Sequence, residues 1–121
     1  MSIAEHDRRI DYIEFSVTSV PDAKRFYGEA FGWTFEDYGP DYASFSDGRL
    51  SGGFQTAPVR TGGPLVVIYA TDLEGMERRV RKANGKIVKP IFSFPGGRRF
   101  HFADPSGNEL AVWSDKDKRE Q

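Results

Sequence analysis

The chain contains one pattern of residues twice, and this repeat constrains its fold more than any other feature. Ile13–Thr18 and Val66–Thr71 align as apolar segments, and at the same offset Gly32 falls on Gly85. Each copy has the pattern of a strand, a polar break, a helix ending at glycine and several shorter strands. Because solenoids and propellers need at least about three repeats, two copies predict a pseudo-twofold domain whose halves share a cleft.

Length, charge and cysteine content exclude several classes of protein. A chain of 121 residues is long enough for one domain with a hydrophobic core. The formal net charge of −1 gives no basic excess that would favour nucleic acid as a partner. Without cysteine there are no disulfides, thiolate metal sites or cysteine nucleophiles, and no apolar run approaches the ~20 residues of a membrane span. We therefore expect a soluble, cytoplasmic protein with no nucleic-acid or membrane partner.

The first copy begins with an alternating strand over residues 10–17. Its apolar residues point to one face, and the opposite face carries Tyr12, Glu14 and Ser16. Helical spacing then predicts one apolar stripe, made of Ala23, Phe26, Tyr27, Ala30 and Phe31. Turn residues separate three further predicted strands, over 33–38, 42–46 and 51–56.

The second copy repeats this order. A strand over 65–70 precedes a helix that ends at Asn84-Gly85 and carries Leu73, Met76, Val80 and Ala83. Three more strands are predicted, over 86–94, 98–103 and 109–114. The order β-α-β-β-β therefore occurs twice.

These boundaries give one domain over residues 10–113. Its modules cover about 10–57 and about 65–113, with a Gly- and Pro-containing linker at about 58–64. Residues 1–9 are expected to form a flexible leader, and residues 114–121 a charged tail.

Three stretches of the chain resemble the motifs of a known superfamily. They are residues 23–27 (AKRFY), 31–33 (FGW) and 102–108 (FADPSGN), and the resemblance covers roughly residues 9–114. They resemble the vicinal oxygen chelate superfamily, which includes glyoxalase I, extradiol dioxygenases, methylmalonyl-CoA epimerase and bleomycin-resistance proteins. The resemblance implies an α+β fold in which two tandem βαβββ modules form an open, curved mixed-sheet barrel around a central cavity. The fold alone does not identify the chemistry.

Metal-using members of that superfamily hold a divalent ion with side chains on the cavity face. The resemblance places three of the usual ligand positions at Tyr12, Leu65 and Ala111. Leucine and alanine cannot coordinate a metal, and a neutral tyrosine is a poor ligand for hard cations. We therefore predict no metal at these positions and no cofactor, which argues against glyoxalase I, dioxygenase and epimerase activity.

Two carboxylates near these positions are the candidate catalytic residues. By strand parity, Glu14 and Glu109 also lie on the cavity face. Two carboxylates in one cleft can bind a divalent cation or act as an acid–base pair. Alternatively both are structural, and they face solvent at the cavity mouth or pair with Arg98. These alternatives stay open from the sequence.

The last hairpin decides which residues of the second copy reach the cavity. If residues 104–107 form the turn, Ala103 pairs with Asn108, and His101 faces away from the cavity. His6 lies in the leader, so no histidine metal site is expected. The predicted ligand-binding residues are Tyr12, Glu14, Leu65, Val67, Tyr69, Arg98, Phe100, Phe102, Glu109, Ala111 and Trp113.

This predicted wall is apolar and aromatic, with one arginine and two carboxylates. It suits a small apolar or aromatic ligand with a polar end, although the same residues can also fill the interior of a small barrel. Open sheet edges and an aromatic content of 14% favour a homodimer. The favoured hypothesis is a non-catalytic small-molecule-binding protein like the bleomycin-resistance members.

Two alternatives remain beside that hypothesis. One is a metal-dependent lyase or isomerase of the glyoxalase type, or a dioxygenase-like enzyme, with a displaced site at Glu14 and Glu109. The other is a non-catalytic interaction module without a ligand.

Overall fold

The computed structural model describes residues 3–116. Contacts within the chain divide it into two compact units, residues 12–65 and residues 1–11 with 66–121. Two β-α-β-β-β modules follow one another along the chain, so the predicted α+β class with two tandem modules is confirmed. Residues 1–2 of the predicted leader and residues 117–121 of the predicted tail lie outside the described residues.

The first module places one helix against one face of a four-stranded sheet. Its elements are β1 (Arg9–Val17), α1 (Val20–Phe31), β2 (Thr34–Asp37), β3 (Tyr42–Ser46) and β4 (Ser51–Thr56). The strand order is β2-β3-β4-β1, in which β1 and β4 are parallel and the other neighbours antiparallel. The bounds of β3 and β4 agree with the sequence prediction.

The second module has the same order of elements. A 3-10 helix over Ile3–His6 begins the described part of its unit. The module itself consists of β5 (Leu65–Tyr69), α2 (Leu73–Lys82), β6 (Lys86–Phe94), β7 (Gly97–Ala103) and β8 (Glu109–Ser114). The strand order is β5-β8-β7-β6, in which β5 and β8 are parallel and the other neighbours antiparallel.

Local sequence explains where α1 begins and ends. The Ser19 side chain accepts a hydrogen bond from the Asp22 backbone N–H at 3.2 Å, which satisfies one free donor of the first turn. Gly32 ends the helix in the left-handed region, with φ of 75°. Neither α1 nor α2, the two α-helices within residues 3–116, is long and apolar enough to cross a membrane.

The core of the first module is aromatic. Val20 is 3% exposed, and Tyr27 stacks on Trp33 with ring centroids 4.6 Å apart. The predicted apolar stripe is wrong at Phe26 and Phe31, which are 57% and 63% exposed. The face of α1 turned to the sheet is narrower than the run of apolar residues, so these two rings contact each other on the surface instead.

The core of the second module lies between α2 and its sheet. Leu73 of α2 forms one buried cluster with Phe100 of β7 and Val112 of β8. Beside this cluster, the Arg98 guanidinium donates two hydrogen bonds to the Glu74 carboxylate, at 2.5 and 3.3 Å. These bonds connect α2 to β7, and the hydrogen bond from Arg98 lowers the pKa of Glu74.

The pairing of β7 with β8 differs by one residue from the predicted pairing. Ala103 pairs with Glu109 rather than with Asn108, because the turn contains five residues, 104–108, instead of four. A shift of one residue moves every side chain of a strand to the opposite face. His101 therefore lies opposite Ala111 and shares its face, which corrects the prediction that His101 faces away.

The same shift corrects three of the predicted ligand-binding residues. Phe100 and Phe102 pack in the cluster against α2 rather than on the face of Ala111. Arg98 lies on that helix side too, where it binds Glu74. The predicted cavity wall therefore loses all three residues.

The N-terminal segment, predicted as a flexible leader, makes specific contacts within its unit. The Arg8 backbone N–H donates to the Tyr69 carbonyl at 2.7 Å. The Asp7 carboxylate accepts from the Thr71 backbone N–H at 2.9 Å. This segment therefore supplies hydrogen-bond partners to the end of β5 and the residues that follow it.

We expect Gly52→Ala to lower the free energy of unfolding by about 1–3 kcal/mol, because the added methyl group overpacks the core of the first module. A Cβ at Gly52 would overlap the Ile13 carbonyl oxygen and the Phe45 ring. Urea denaturation measures the effect. The control is Gln55→Ala, an exposed position on the same strand, which should change the free energy of unfolding by less than about 0.5 kcal/mol. Equal values for the two variants would contradict the assigned close packing.

Candidate functional site

Each module has a sheet face that its helix does not cover, called here the helix-free face. In the first module, Phe15 and Val17 of β1 pack in the core cluster of α1. The alternating residues Tyr12 and Glu14 therefore lie on the helix-free face, as the strand pattern predicts.

A hydrogen-bonded network of two phenols and one carboxylate occupies this face of the first module. The Tyr42 hydroxyl donates to the Glu14 carboxylate at 3.2 Å, and the Tyr12 and Tyr42 hydroxyls are 2.5 Å apart. When Tyr42 gives its only proton to Glu14, its oxygen is left to accept from Tyr12. Glu14 is 9% exposed, so this carboxylate depends on protein hydrogen bonds more than on water.

Gly53 makes this network possible. A Cβ at this position would overlap the Tyr42 hydroxyl and lie 2.6 Å from the Tyr12 hydroxyl. The missing side chain therefore leaves the space in which the two phenols meet, which is the close approach that a glycine inside a strand indicates. Burial, followed by the hydrogen bond with Tyr12, raises the pKa of Tyr42. A tyrosine is already a neutral phenol at physiological pH, and the raised pKa keeps Tyr42 neutral in more alkaline solution as well.

Several predicted ligand-binding residues do share the helix-free face of the second module. Ile68 and Val112 belong to the core cluster at α2, so the residues that alternate with them lie on the opposite side. These residues are Val67, Tyr69, Glu109, Ala111 and Trp113. Val67, Tyr69 and Ala111 are at most 2% exposed, and Leu65 at the start of β5 is equally buried. Such deep burial agrees with the alternative stated from the sequence, in which these residues fill the interior of the fold instead of lining an open cavity.

The polar ends of the two aromatic residues on this face have protein partners. The Tyr69 hydroxyl donates to Asp115 at 2.5 Å, and the Trp113 indole N–H donates to Asp11 at 2.9 Å. Burial, together with the bond to Asp115, raises the pKa of Tyr69 to about 12. Both rings are therefore oriented by hydrogen bonds at their edges and packed by their apolar surfaces.

An imidazole–carboxylate pair lies on the same face, and the sequence did not predict it. His101 Nδ1 is 2.9 Å from the Glu109 carboxylate, and the His101 side chain is 2% exposed against 31% for Glu109. Burial lowers the pKa of His101, and the bond to Glu109 only partly opposes this effect. His101 is therefore a neutral imidazole at physiological pH.

Cationic and aromatic groups surround this pair. The Arg99 guanidinium lies over the rings of Phe92 and Phe94, 5.6 and 5.7 Å from their centroids. The Phe92 ring also lies 5.9 Å from the His101 ring, tilted by 30°. The positive charges of Arg99 and Lys89 act with burial to lower the pKa of His101.

A pocket of about 410 Å³ lies on the other side of this module, where α2 meets the N-terminal segment. None of the predicted site residues lines it. Its charged lining consists of Asp7, Arg8, Asp72, Arg78, Arg79 and Lys82. The two carboxylates accept backbone hydrogen bonds from Thr71 and Gly75, so they stabilise the start of α2.

The sequence profile of the Glyoxalase/Bleomycin resistance protein/Dioxygenase superfamily matches residues 9–112. No curated protein matches the chain at a significant level. Among solved structures, the NAD-dependent benzaldehyde dehydrogenase from Legionella pneumophila is 17% identical to this chain, with a TM-score of 0.71. The match covers 87% of this chain and 98% of that chain.

Two further structures show the same arrangement of elements. A glyoxalase/bleomycin resistance protein/dioxygenase superfamily member from Vibrio splendidus 12B01 is 16% identical with a TM-score of 0.70, over 88% of this chain and 97% of that chain. The Mn(II)-bound glyoxalase from Novosphingobium aromaticivorans is 22% identical with a TM-score of 0.67, over 96% of this chain but 42% of that chain. At these identities the likeness shows the fold alone.

The depressed pKa of His101 predicts a specific pH dependence of stability. Between the ordinary histidine pKa of 6.5 and the lower folded value, the unfolded chain binds more protons than the folded chain. The free energy of unfolding should therefore fall as the pH drops below about 6.5, and His101→Phe should remove this part of the fall. Urea denaturation at several pH values measures the difference. His6→Gln is the control, and an identical pH profile for His101→Phe and the natural protein would contradict the assignment.

Proposed function

We propose that this chain, which belongs to the Glyoxalase/Bleomycin resistance protein/Dioxygenase superfamily, binds a small apolar or aromatic molecule. It lacks the set of three metal ligands that metal-using members have. The chemistry of the three usual ligand positions carries the proposal. Leu65 and Ala111 have no donor atom and are at most 2% exposed. Tyr12, at the third position, is hydrogen-bonded to Tyr42. This donor set does not fit a divalent cation.

The helix-free faces support recognition of a flat ligand with one polar end. Each face combines aromatic rings with a few polar groups, such as Tyr42 in the first module and His101 in the second. A neighbouring carboxylate orients the hydrogen-bonding proton of each group. Pockets for small molecules are commonly built in this way, with an apolar lining and few polar groups. The proposed ligand-binding residues that remain from the predicted set each belong to the helix-free face of their own module: Tyr12, Glu14, Leu65, Val67, Tyr69, Glu109, Ala111 and Trp113.

A non-catalytic homodimer in the cytoplasm completes the proposal. The exposed rings of Phe26 and Phe31 form an aromatic surface on α1. Contiguous apolar surface of this kind favours contact with another protein surface. A sequestering protein needs a pocket and an affinity for its ligand, and it needs no reactive group.

The competing function is a metal-dependent lyase or isomerase of the glyoxalase type, with a displaced site at Glu14 and Glu109. Superfamily membership supports it, because a Mn(II)-bound glyoxalase shares the fold. Against it, Glu14 already accepts a hydrogen bond from Tyr42, and Glu109 one from His101. A metal at either carboxylate would have to replace these bonds.

Calorimetric titration of the metal-stripped protein with nickel, zinc, manganese and iron(II) separates the two functions. We expect no stoichiometric binding with micromolar or tighter affinity, and we expect saturable binding of aromatic fragments in ligand-observed NMR with a chelator present. Glu14→Gln and Glu109→Gln are the matched variants. Stoichiometric metal uptake that either substitution abolishes would replace the proposal with the lyase. Uptake that neither affects would mean a metal site elsewhere, and no fragment binding would favour the interaction module.

A further inference from the structure

The second ring nitrogen of His101 is the most informative polar atom that the fold leaves unexplained. His101 Nε2 is buried and has no hydrogen-bond partner among the described residues. Buried polar atoms in folded proteins are nearly always paired with protein or ordered water, and each exception requires an explanation. A buried polar atom without a hydrogen-bond partner destabilises the folded protein, because it has lost its bonds to water and gained none in exchange. A hydrogen-bonding group from outside the chain would remove this cost.

The partner of Nδ1 determines what kind of group Nε2 can bind. An ionised carboxylate only accepts hydrogen bonds, so Nδ1 of His101 must carry the proton that it shares with Glu109. A neutral imidazole then has a bare Nε2, which only accepts. The burial that lowers the pKa of His101 keeps the ring in this neutral state. The missing partner is therefore a donor.

The neighbouring groups restrict the chemistry of this donor. Arg99 and Lys89 are close enough for their charges to influence His101, so an ammonium donor would be repelled. An ionised carboxylate would bring a lone pair against the lone pair of Nε2. The Phe92 ring beside His101, and the Trp113 ring opposite Arg99 in the strand pairing, provide flat apolar surface. A neutral hydroxyl on an aromatic ring satisfies all of these conditions.

We propose that His101 is the specificity-determining residue on the helix-free face of the second module. There its Nε2 accepts a hydrogen bond from the hydroxyl of a phenolic ligand. Glu109 is a positioning residue, because it holds the proton on Nδ1 and so keeps Nε2 an acceptor. This inference rests on the proposed small-molecule-binding function and names the ligand class for it. No covalent step is involved, and the hydroxyl keeps its proton.

The test compares p-cresol with 4-fluorotoluene, which has a similar shape but no donor. NMR titration of the natural protein should give a dissociation constant for p-cresol at least about tenfold lower, since only p-cresol satisfies Nε2. In His101→Phe the two constants should agree within about twofold. His6→Gln, which changes the other histidine of the chain, should keep the full preference.

A second variant covers the case in which His101→Phe does not fold. In Glu109→Gln the amide can donate to Nδ1 as well as accept from it, so the ring is free to place its proton on Nε2. The preference for p-cresol should then fall at least about threefold, because only part of the protein still offers a bare Nε2 to the ligand. An unchanged preference in this variant would overturn the positioning role of Glu109.

The remaining outcomes separate the inference from the proposed function. Equal affinities of the natural protein for both compounds would overturn the role of His101 while small-molecule binding stands. A preference for p-cresol that persists in the His101→Phe variant would also overturn the role of His101. Failure of both compounds to bind, with an ordered water on Nε2 in a crystal structure, would remove the phenolic ligand class. Binding of other aromatic fragments in the same sample would then show whether the broader function survives.

Discussion

The turn between β7 and β8 determines which side chains the second module presents on each face of its sheet. The Asp104 carboxylate accepts hydrogen bonds from the backbone N–H groups of Ser106 and Asn108, both at 2.9 Å, and from the Asn108 amide at 2.9 Å. Gly107 completes the turn in a left-handed conformation with φ of 96°. These bonds define a five-residue turn, and the turn length sets the pairing of all the residues that follow.

The consequences of this pairing extend through the whole module. With Ala103 opposite Glu109, Phe100 enters the core at α2, and His101 lies beside Glu109 on the helix-free face. A turn shorter by one residue would bury His101 against the helix and expose Phe100 on the other face. The core and the candidate binding group therefore depend on the same set of turn hydrogen bonds.

The two modules use different chemistry on their helix-free faces. The first holds two neutral phenols against the buried carboxylate of Glu14. The second holds the neutral imidazole of His101 against the partly exposed carboxylate of Glu109. In each case a carboxylate oxygen orients a neutral polar group, and burial disfavours the charged form of that group. Groups of this kind recognise ligands through directional hydrogen bonds instead of through charge or metal coordination.

Sequence reasoning predicted the order of elements and most strand bounds, because hydrophobic alternation and turn residues act locally. It placed Tyr12 and Glu14 correctly, since parity along one strand needs no knowledge of its neighbours. The faces of four residues were predicted wrongly: Arg98, Phe100, Phe102 and His101. Their faces depend on the length of the turn, and the sequence of residues 104–108 is compatible with a four-residue or a five-residue turn. The exposure of Phe26 and Phe31, and the pocket at α2, depend on tertiary packing that a single sequence does not reveal.

The proton on the His101 ring is the feature on which the proposed acceptor role of Nε2 depends, and the presence of only two histidines makes it measurable. A long-range proton–nitrogen NMR spectrum of the natural protein, assigned with His6→Gln, reports which ring nitrogen carries the proton. We expect a neutral His101 ring at pH 7, protonated on Nδ1 and bare on Nε2. A proton on Nε2, or a doubly protonated ring at this pH, would contradict both the pairing with Glu109 and the role of Nε2 as an acceptor.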